Sequence, residues 1–134
     1  MIAVDTNIVA YLILGGAKTD QARLAFRKDP LWAAPLLWRS EFRSVLAAYL
    51  RQGALLVADA IQLMREAERL FRGAEYHVES DQVLRLLSSS QCSAYDCEFV
   101  ALAQELGVPL VTSDAQILSE FPTTAVSLDD FVSE

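Results

Sequence analysis

A short apolar run that ends in a carboxylate constrains this chain more than any other stretch. Ile2-Ala3-Val4 is followed at once by Asp5, then by Thr6-Asn7 and the apolar segment Ile8–Leu14. That pattern predicts a short buried strand running straight into a buried helix. In an open α/β sheet, ligands bind outside the carboxyl ends of the parallel strands, and Asp5 falls at such an end. It either caps the next helix or is joined there by acids from distant parts of the chain.

The rest of the chain alternates in the same way. Gly15-Gly16 stops the first helix, and Thr19 is expected to cap a second over Asp20–Lys28, with Ala22, Leu24, Ala25 and Phe26 inward. Asp29-Pro30 ends it, because the residue before proline is pushed out of the helical region. Leu31–Ala34 reads as a strand. A helix follows over Leu36–Gln52, with Phe42, Val45, Leu46, Tyr49 and Leu50 as its apolar stripe, and then another over Ala58–Arg72, with Ile61, Met64, Ala67, Leu70 and Phe71 inward. Glu75–Val78 predicts a short strand and Asp81–Leu87 a short helix. Ser93 precedes a helix over Ala94–Leu106 that Gly107 closes. Val108–Thr112 is the clearest later strand, with Ser113-Asp114 at its carboxyl end. A short helix over Ala115–Ser119, a strand near Thr124–Val126 and a turn of helix at Leu128–Val132 complete the pattern. Strands that alternate with helices predict one α/β domain whose parallel sheet is covered on both faces.

Bulk properties narrow the function classes. Hydrophobic residues make up 53% of the 134 and charged ones 22%, as expected of a folded globular domain. No apolar stretch approaches the roughly 20 residues of a membrane helix, and no secretory leader is legible, so a cytoplasmic setting is expected. Cys92 and Cys97 have neither disulfide-scaffold nor metal-knuckle spacing. The net charge of −7 is unevenly spread. Residues 1–85 hold all eleven bases and ten acids, while residues 86–134 hold eight acids and no base. The late half therefore offers nucleic acid no phosphate contact.

Four acids stand out against that background. Asp5 and Asp114 each follow a strand, and two parallel strands side by side would bring them to one sheet edge. Glu41 lies early in an otherwise apolar helix, and Asp96 in the first turn of another. Each has an ordinary use: Asp5 and Asp114 as N-caps, Ser93-x-x-Asp96 as a capping box, Glu41 as a partner of Arg39 or Arg43. Caps do not explain why those helix starts share an edge. Carboxylates that meet repel one another unless a cation is bound. Mg²⁺ suits such a set, because it takes a few carboxylates, retained waters and substrate phosphates.

Asp5-Thr6-Asn7 after an N-terminal strand, Ser40-Glu41, Tyr95-Asp96 opening an Ala-rich helix, and Leu110-Val111-Thr112-Ser113-Asp114 together resemble the PIN-domain ribonucleases. Size and layout are most similar to the VapC toxins of toxin–antitoxin pairs, and the resemblance covers essentially the whole chain. It implies a single PIN-like α/β/α sandwich over residues 1–134, with a mostly parallel sheet of four to five short strands. It also implies a Mg²⁺- or Mn²⁺-dependent endoribonuclease with Asp5, Glu41, Asp96 and Asp114 as catalytic metal ligands. Thr6, Asn7, Thr112 and Ser113 would support them. The implied partners are an RNA substrate, a cognate antitoxin and a second copy in a homodimer, with a heterotetramer or larger assembly open.

One departure bears on RNA binding. A base often follows the last acid in relatives, and here Ala115-Gln116 stand there. Phosphate contacts would fall to earlier helices, with Arg39 and Arg43, which flank Glu41, preferred. Arg65, Arg69 and Arg72 share a helix face but are interleaved with Glu66 and Glu68, as on a solvated surface. His77 reads as structural, and Trp32, Trp38, Phe42 and Phe71 as core or dimer aromatics. A phosphorylated signalling receiver would want a late lysine, and none follows Lys28. An aspartyl-phosphate phosphatase would want Asp where Asn7 stands. The remaining alternative is a PIN-like partner-binding protein with weak or lost nuclease activity.

Overall fold

Five short strands and eight helices alternate along the chain, in a computed structural model that describes residues 1–134. The strands are β1 (Ile2–Val4), β2 (Trp32–Pro35), β3 (Glu75–Tyr76), β4 (Leu110–Thr112) and β5 (Ala125–Ser127). The helices are α1 (Thr6–Leu14), α2 (Thr19–Lys28), α3 (Leu37–Arg51), α4 (Val57–Leu70), α5 (Ser80–Ser88), α6 (Ala94–Leu106), α7 (Ala115–Glu120) and α8 (Leu128–Ser133). All strand pairs are parallel, and their spatial order is β3-β2-β1-β4-β5. The chain thus builds outward from β1 to one edge and returns to build outward on the other side. The switch point lies between β1 and β4, which is where a doubly wound sheet opens a crevice for ligands. The expected sandwich with four to five strands is met, and no helix is long and apolar enough to cross a membrane.

Burial follows from this layering. β1, β2 and β4 are buried at every residue, as required of central parallel strands with helices on both sides. Trp32, Trp38, Phe42 and Phe71 are wholly buried, and the last three form one aromatic group, with Trp38 and Phe71 ring centroids 4.7 Å apart. They are core aromatics. Removing any one would cost on the order of 3–5 kcal/mol. Helix α6 lies against β1, β2 and β4, and its run Phe99–Ala103 is buried on every side, so it has little amphipathic character. Its end is set by Gly107 at φ 66°, where the Gly107 and Val108 amides return to the carbonyls of Gln104 and Ala103.

Several local expectations are corrected. Thr19 does not cap α2: it is the first helical residue, and its hydroxyl donates to the Tyr11 carbonyl at 2.6 Å, tying α2 to α1. Leu24, Tyr49 and Ile61 face solvent. Counting along a helix predicts each inward, but the neighbouring helices cover a narrower stripe than the apolar residues span. β3 is only two residues long, because it pairs with β2 alone at the sheet edge.

Candidate active site

The register of the central strands creates the site. Ala3 pairs with Leu110 and Val4 with Val111, so the next residues on each strand, Asp5 and Thr112, emerge side by side. The Thr112 hydroxyl donates to Asp5 Oδ2 and accepts from the Asp114 amide at 3.0 Å. One side chain on β4 thereby fixes both the acid at the end of β1 and the loop that carries Asp114. Asp5 Oδ1 accepts from the Ile8 amide at 3.3 Å, so this residue is indeed the N-cap of α1. Asp114 likewise caps α7, accepting from the Ile117 amide at 3.0 Å. Capping and convergence are therefore not rivals. The cap geometry is what aims each carboxylate at the crevice.

The other two acids come from helices. Glu41, on α3, accepts a hydrogen bond from the Thr6 hydroxyl on α1 at 2.7 Å. Asp96 sits in the first turn of α6, where its amide donates to Ser93 Oγ at 3.1 Å. All four acids line one open cavity of about 430 Å³. Thr6, Asn7, Ser40 and Ser44 add polar groups, and Leu37, Val45, Tyr95 and Phe99 supply its apolar wall. No lysine, arginine or histidine lines it.

Electrostatics record the crowding. Asp5 is 7% exposed, and burial lifts its carboxyl to about 6, with the charges of Asp114 and Asp96 pushing the same way. The bonds from Thr112 and the Ile8 amide pull against that rise. Asp96 is raised by burial first and by Asp114 second. Such shifts mark a site where negative charge is held without a counter-charge from the chain.

The donor set is all oxygen, with no thiolate or imidazole, and suits a hard divalent cation such as Mg²⁺ or Mn²⁺. No three of the carboxylates meet closely enough to ligate one ion directly. An ion held here would take one or two carboxylates and reach the others through water, the usual manner of Mg²⁺.

The supporting and basic residues divide. Thr6 and Thr112 each orient an acid. Asn7 stands exposed on the cavity wall rather than bonded to an acid. Ser113 pairs with the Tyr11 hydroxyl at 3.0 Å and faces α1, not the cavity. Arg39 points away from the acids: its guanidinium grips Glu75 with bonds of 2.6 and 2.7 Å and reaches Glu68 at 2.8 Å, and Glu75 also accepts from the Trp38 indole. It ties α3 to α4 and β3 and is not presented to a substrate. Arg43 is exposed but does not line the cavity. The solvated reading of Arg65, Arg69 and Arg72 holds, since all three are exposed.

Two features were not foreseen. Tyr95 belongs to the cavity wall, although only its neighbour Asp96 carries a charge. Glu98 is half-buried on α6 and raised by burial and by Glu41. Nothing local signals that proximity, which arises only when the fold brings α3 and α6 to the same cavity.

Known proteins resemble this chain in sequence and in fold. The chain is 25% identical over 124 residues to Ribonuclease VapC3 of Pyrobaculum aerophilum, covering 90% of this chain and 95% of that protein. Its fold matches a crystal structure from Pyrobaculum aerophilum with a TM-score of 0.76 at 21% identity, over 98% of this chain and 93% of that one. It also matches a toxin–antitoxin complex from Klebsiella pneumoniae, with a TM-score of 0.72 at 19% identity, over 96% and 98% of the two chains. A third likeness is to Mycobacterium tuberculosis VapC20, a Sarcin-Ricin loop cleaving toxin, with a TM-score of 0.63 at 18% identity over 89% and 94%. The model of the PIN domain matches residues 2–122, and the chain that gathers these four acids at its sheet switch point belongs to the PIN domain family.

Proposed function

We propose that this protein is a Mg²⁺- or Mn²⁺-dependent endoribonuclease and the toxin of a toxin–antitoxin pair, held in check by a cognate antitoxin and acting as a homodimer in the cytoplasm. One observation carries the nuclease reading: Asp5, Glu41, Asp96 and Asp114, from four separate parts of the chain, line one cavity that contains no base. The similarity to Ribonuclease VapC3 supports RNA as the substrate, and the likeness to a toxin–antitoxin complex supports the partner.

A divalent ion bound among these acids would supply the positive charge that phosphodiester hydrolysis needs at the attacked phosphate and the leaving oxygen. The chain does the rest. Asp5 and Asp114, fixed by the ends of α1 and α7, provide rigid carboxylates at the crevice floor. Thr112 holds Asp5 in one rotamer, and Thr6 does the same for Glu41. Asp5 would have to be ionised to hold a cation, and burial lifts its carboxyl to about 6. Activity is accordingly expected to rise with pH from about 5 to 7.

The test is cleavage of total RNA by wild type with Mg²⁺, with Mn²⁺ and with a chelator, beside Asp96→Asn. Wild type is expected to cut only with metal, and the variant to be at least about 100-fold slower. Absence of any metal-dependent cut would sink the nuclease reading and leave the partner-binding alternative. Equal cutting by the variant would place the chemistry elsewhere.

A further inference from the structure

The cavity presents RNA with a difficulty that its apolar wall resolves. Every charged group lining it is negative, so away from a bound ion the cavity wall itself offers the phosphate backbone no charge attraction. Within the cavity, contact then falls to its polar and apolar side chains. Tyr95 and Phe99 are one turn apart on α6 and line the same side of the cavity. Phe99 is 2% exposed and forms part of the wall, whereas Tyr95 is 61% exposed at the rim, immediately before Asp96. An aromatic ring that exposed is not held there by the core. Leu37 of α3 lines the same cavity and adds a second apolar surface.

Resting on the ribonuclease reading, we infer that Tyr95 is the stacking platform for an unpaired base next to the scissile phosphate. Bases within a helix are stacked on one another and cannot reach a side chain in this way, while splayed bases do so readily. The position suits that role. Tyr95 lines the same cavity as the four acids, so a base stacked on its exposed ring lies beside the phosphate held at them. Stacking tolerates any base, so Tyr95 sets the position of the cut more than its sequence.

The experiment measures cleavage kinetics with Mn²⁺ on a single-stranded RNA with one cut site, and on the same RNA carrying an abasic ribose at each position flanking that site. Wild type is compared with Tyr95→Ala, Tyr95→Phe and Tyr95→Trp. Tyr95→Ala should raise KM on the order of 5- to 150-fold, the span seen for loss of one base–aromatic stack. Its kcat should stay within a few-fold of wild type, and its melting temperature should not change, since the side chain is exposed. Tyr95→Phe and Tyr95→Trp should keep the wild-type KM. One abasic position should cost wild type about as much as Tyr95→Ala does, and cost Tyr95→Ala nothing further, the signature of a coupled pair. Wild-type cleavage with an unchanged KM in Tyr95→Ala, or an equal abasic penalty in both proteins, would overturn the stacking role and leave the ribonuclease standing. No metal-dependent cleavage by wild type would overturn the ribonuclease reading, and the stacking role with it.

Discussion

Asp5→Asn is expected to leave the metal-free protein at pH 8 more stable than wild type, even though it removes a carboxylate from the cavity floor. The carboxyl of Asp5 is raised from 3.8 to about 6 by burial, Asp114 and Asp96. Between those values the folded protein keeps a proton that the unfolded chain has released. The contribution of Asp5 to stability is therefore full below pH 4, falls as pH rises to about 6, and stays low above it. The loss is at most about 3 kcal/mol. Asparagine cannot ionise, caps a helix about as well as aspartate, and still accepts through its carbonyl oxygen from Thr112 or Ile8. Denaturant unfolding of both proteins from pH 4 to pH 8 should show the variant's advantage grow through pH 5–6. A variant less stable at pH 8 would mean that the anionic cap outweighs the cost of burying the charge beside Asp114 and Asp96. The same substitution should lower metal-dependent cleavage at least about 100-fold.

Thr112→Val carries the second large effect, in the opposite direction. Valine fills the same buried volume but removes the donor to Asp5 and the acceptor for the Asp114 amide. Each buried group left unpaired costs about 1–3 kcal/mol. A loss of about 2–4 kcal/mol is expected at pH 8, where Asp5 is charged and most needs its donor. The loss should shrink at pH 5, where Asp5 is largely protonated. Thr112→Ser keeps both hydrogen bonds and should lose only about 1 kcal/mol for the buried methyl, equally at both pH values. Melting curves at the two pH values decide it: equal losses at pH 5 and pH 8 would show that Thr112 acts by packing alone. In an Asp5→Asn background the penalty of Thr112→Val should fall, because the charged partner is gone.

These two residues also mark how far the sequence alone could be read. Asp5 was legible because a strand, a carboxylate and a helix adjoin within a few residues, and the helix-start positions of Asp96 and Asp114 follow the same local logic. The convergence of Asp5 and Asp114 needed only the rule that adjacent parallel strands end at one edge, and β1 and β4 are such neighbours. What stayed hidden lies between elements. Arg39 sits two residues from Glu41, which suggested a substrate contact. Successive helix positions point in different directions, and its own direction leads to Glu68 and Glu75. Glu98 feels the charge of Glu41 only because the fold brings α3 and α6 to one cavity. Thr112 reads as one more strand residue until the register sets it beside Asp5. Leu24, Tyr49 and Ile61 are apolar yet exposed, and periodicity has no means of telling a covered apolar face from an open one.

The central claim, that the four acids form one cation site, is tested most directly by melting wild type, Asp5→Asn and Asp96→Asn at pH 7.5 with and without millimolar Mn²⁺. A ligand at 100 times its Kd stabilises by about 2.7 kcal/mol. Wild type should therefore melt several degrees higher with Mn²⁺, while each variant shifts by a small fraction of that. An equal shift in all three proteins, or none in wild type, would contradict it.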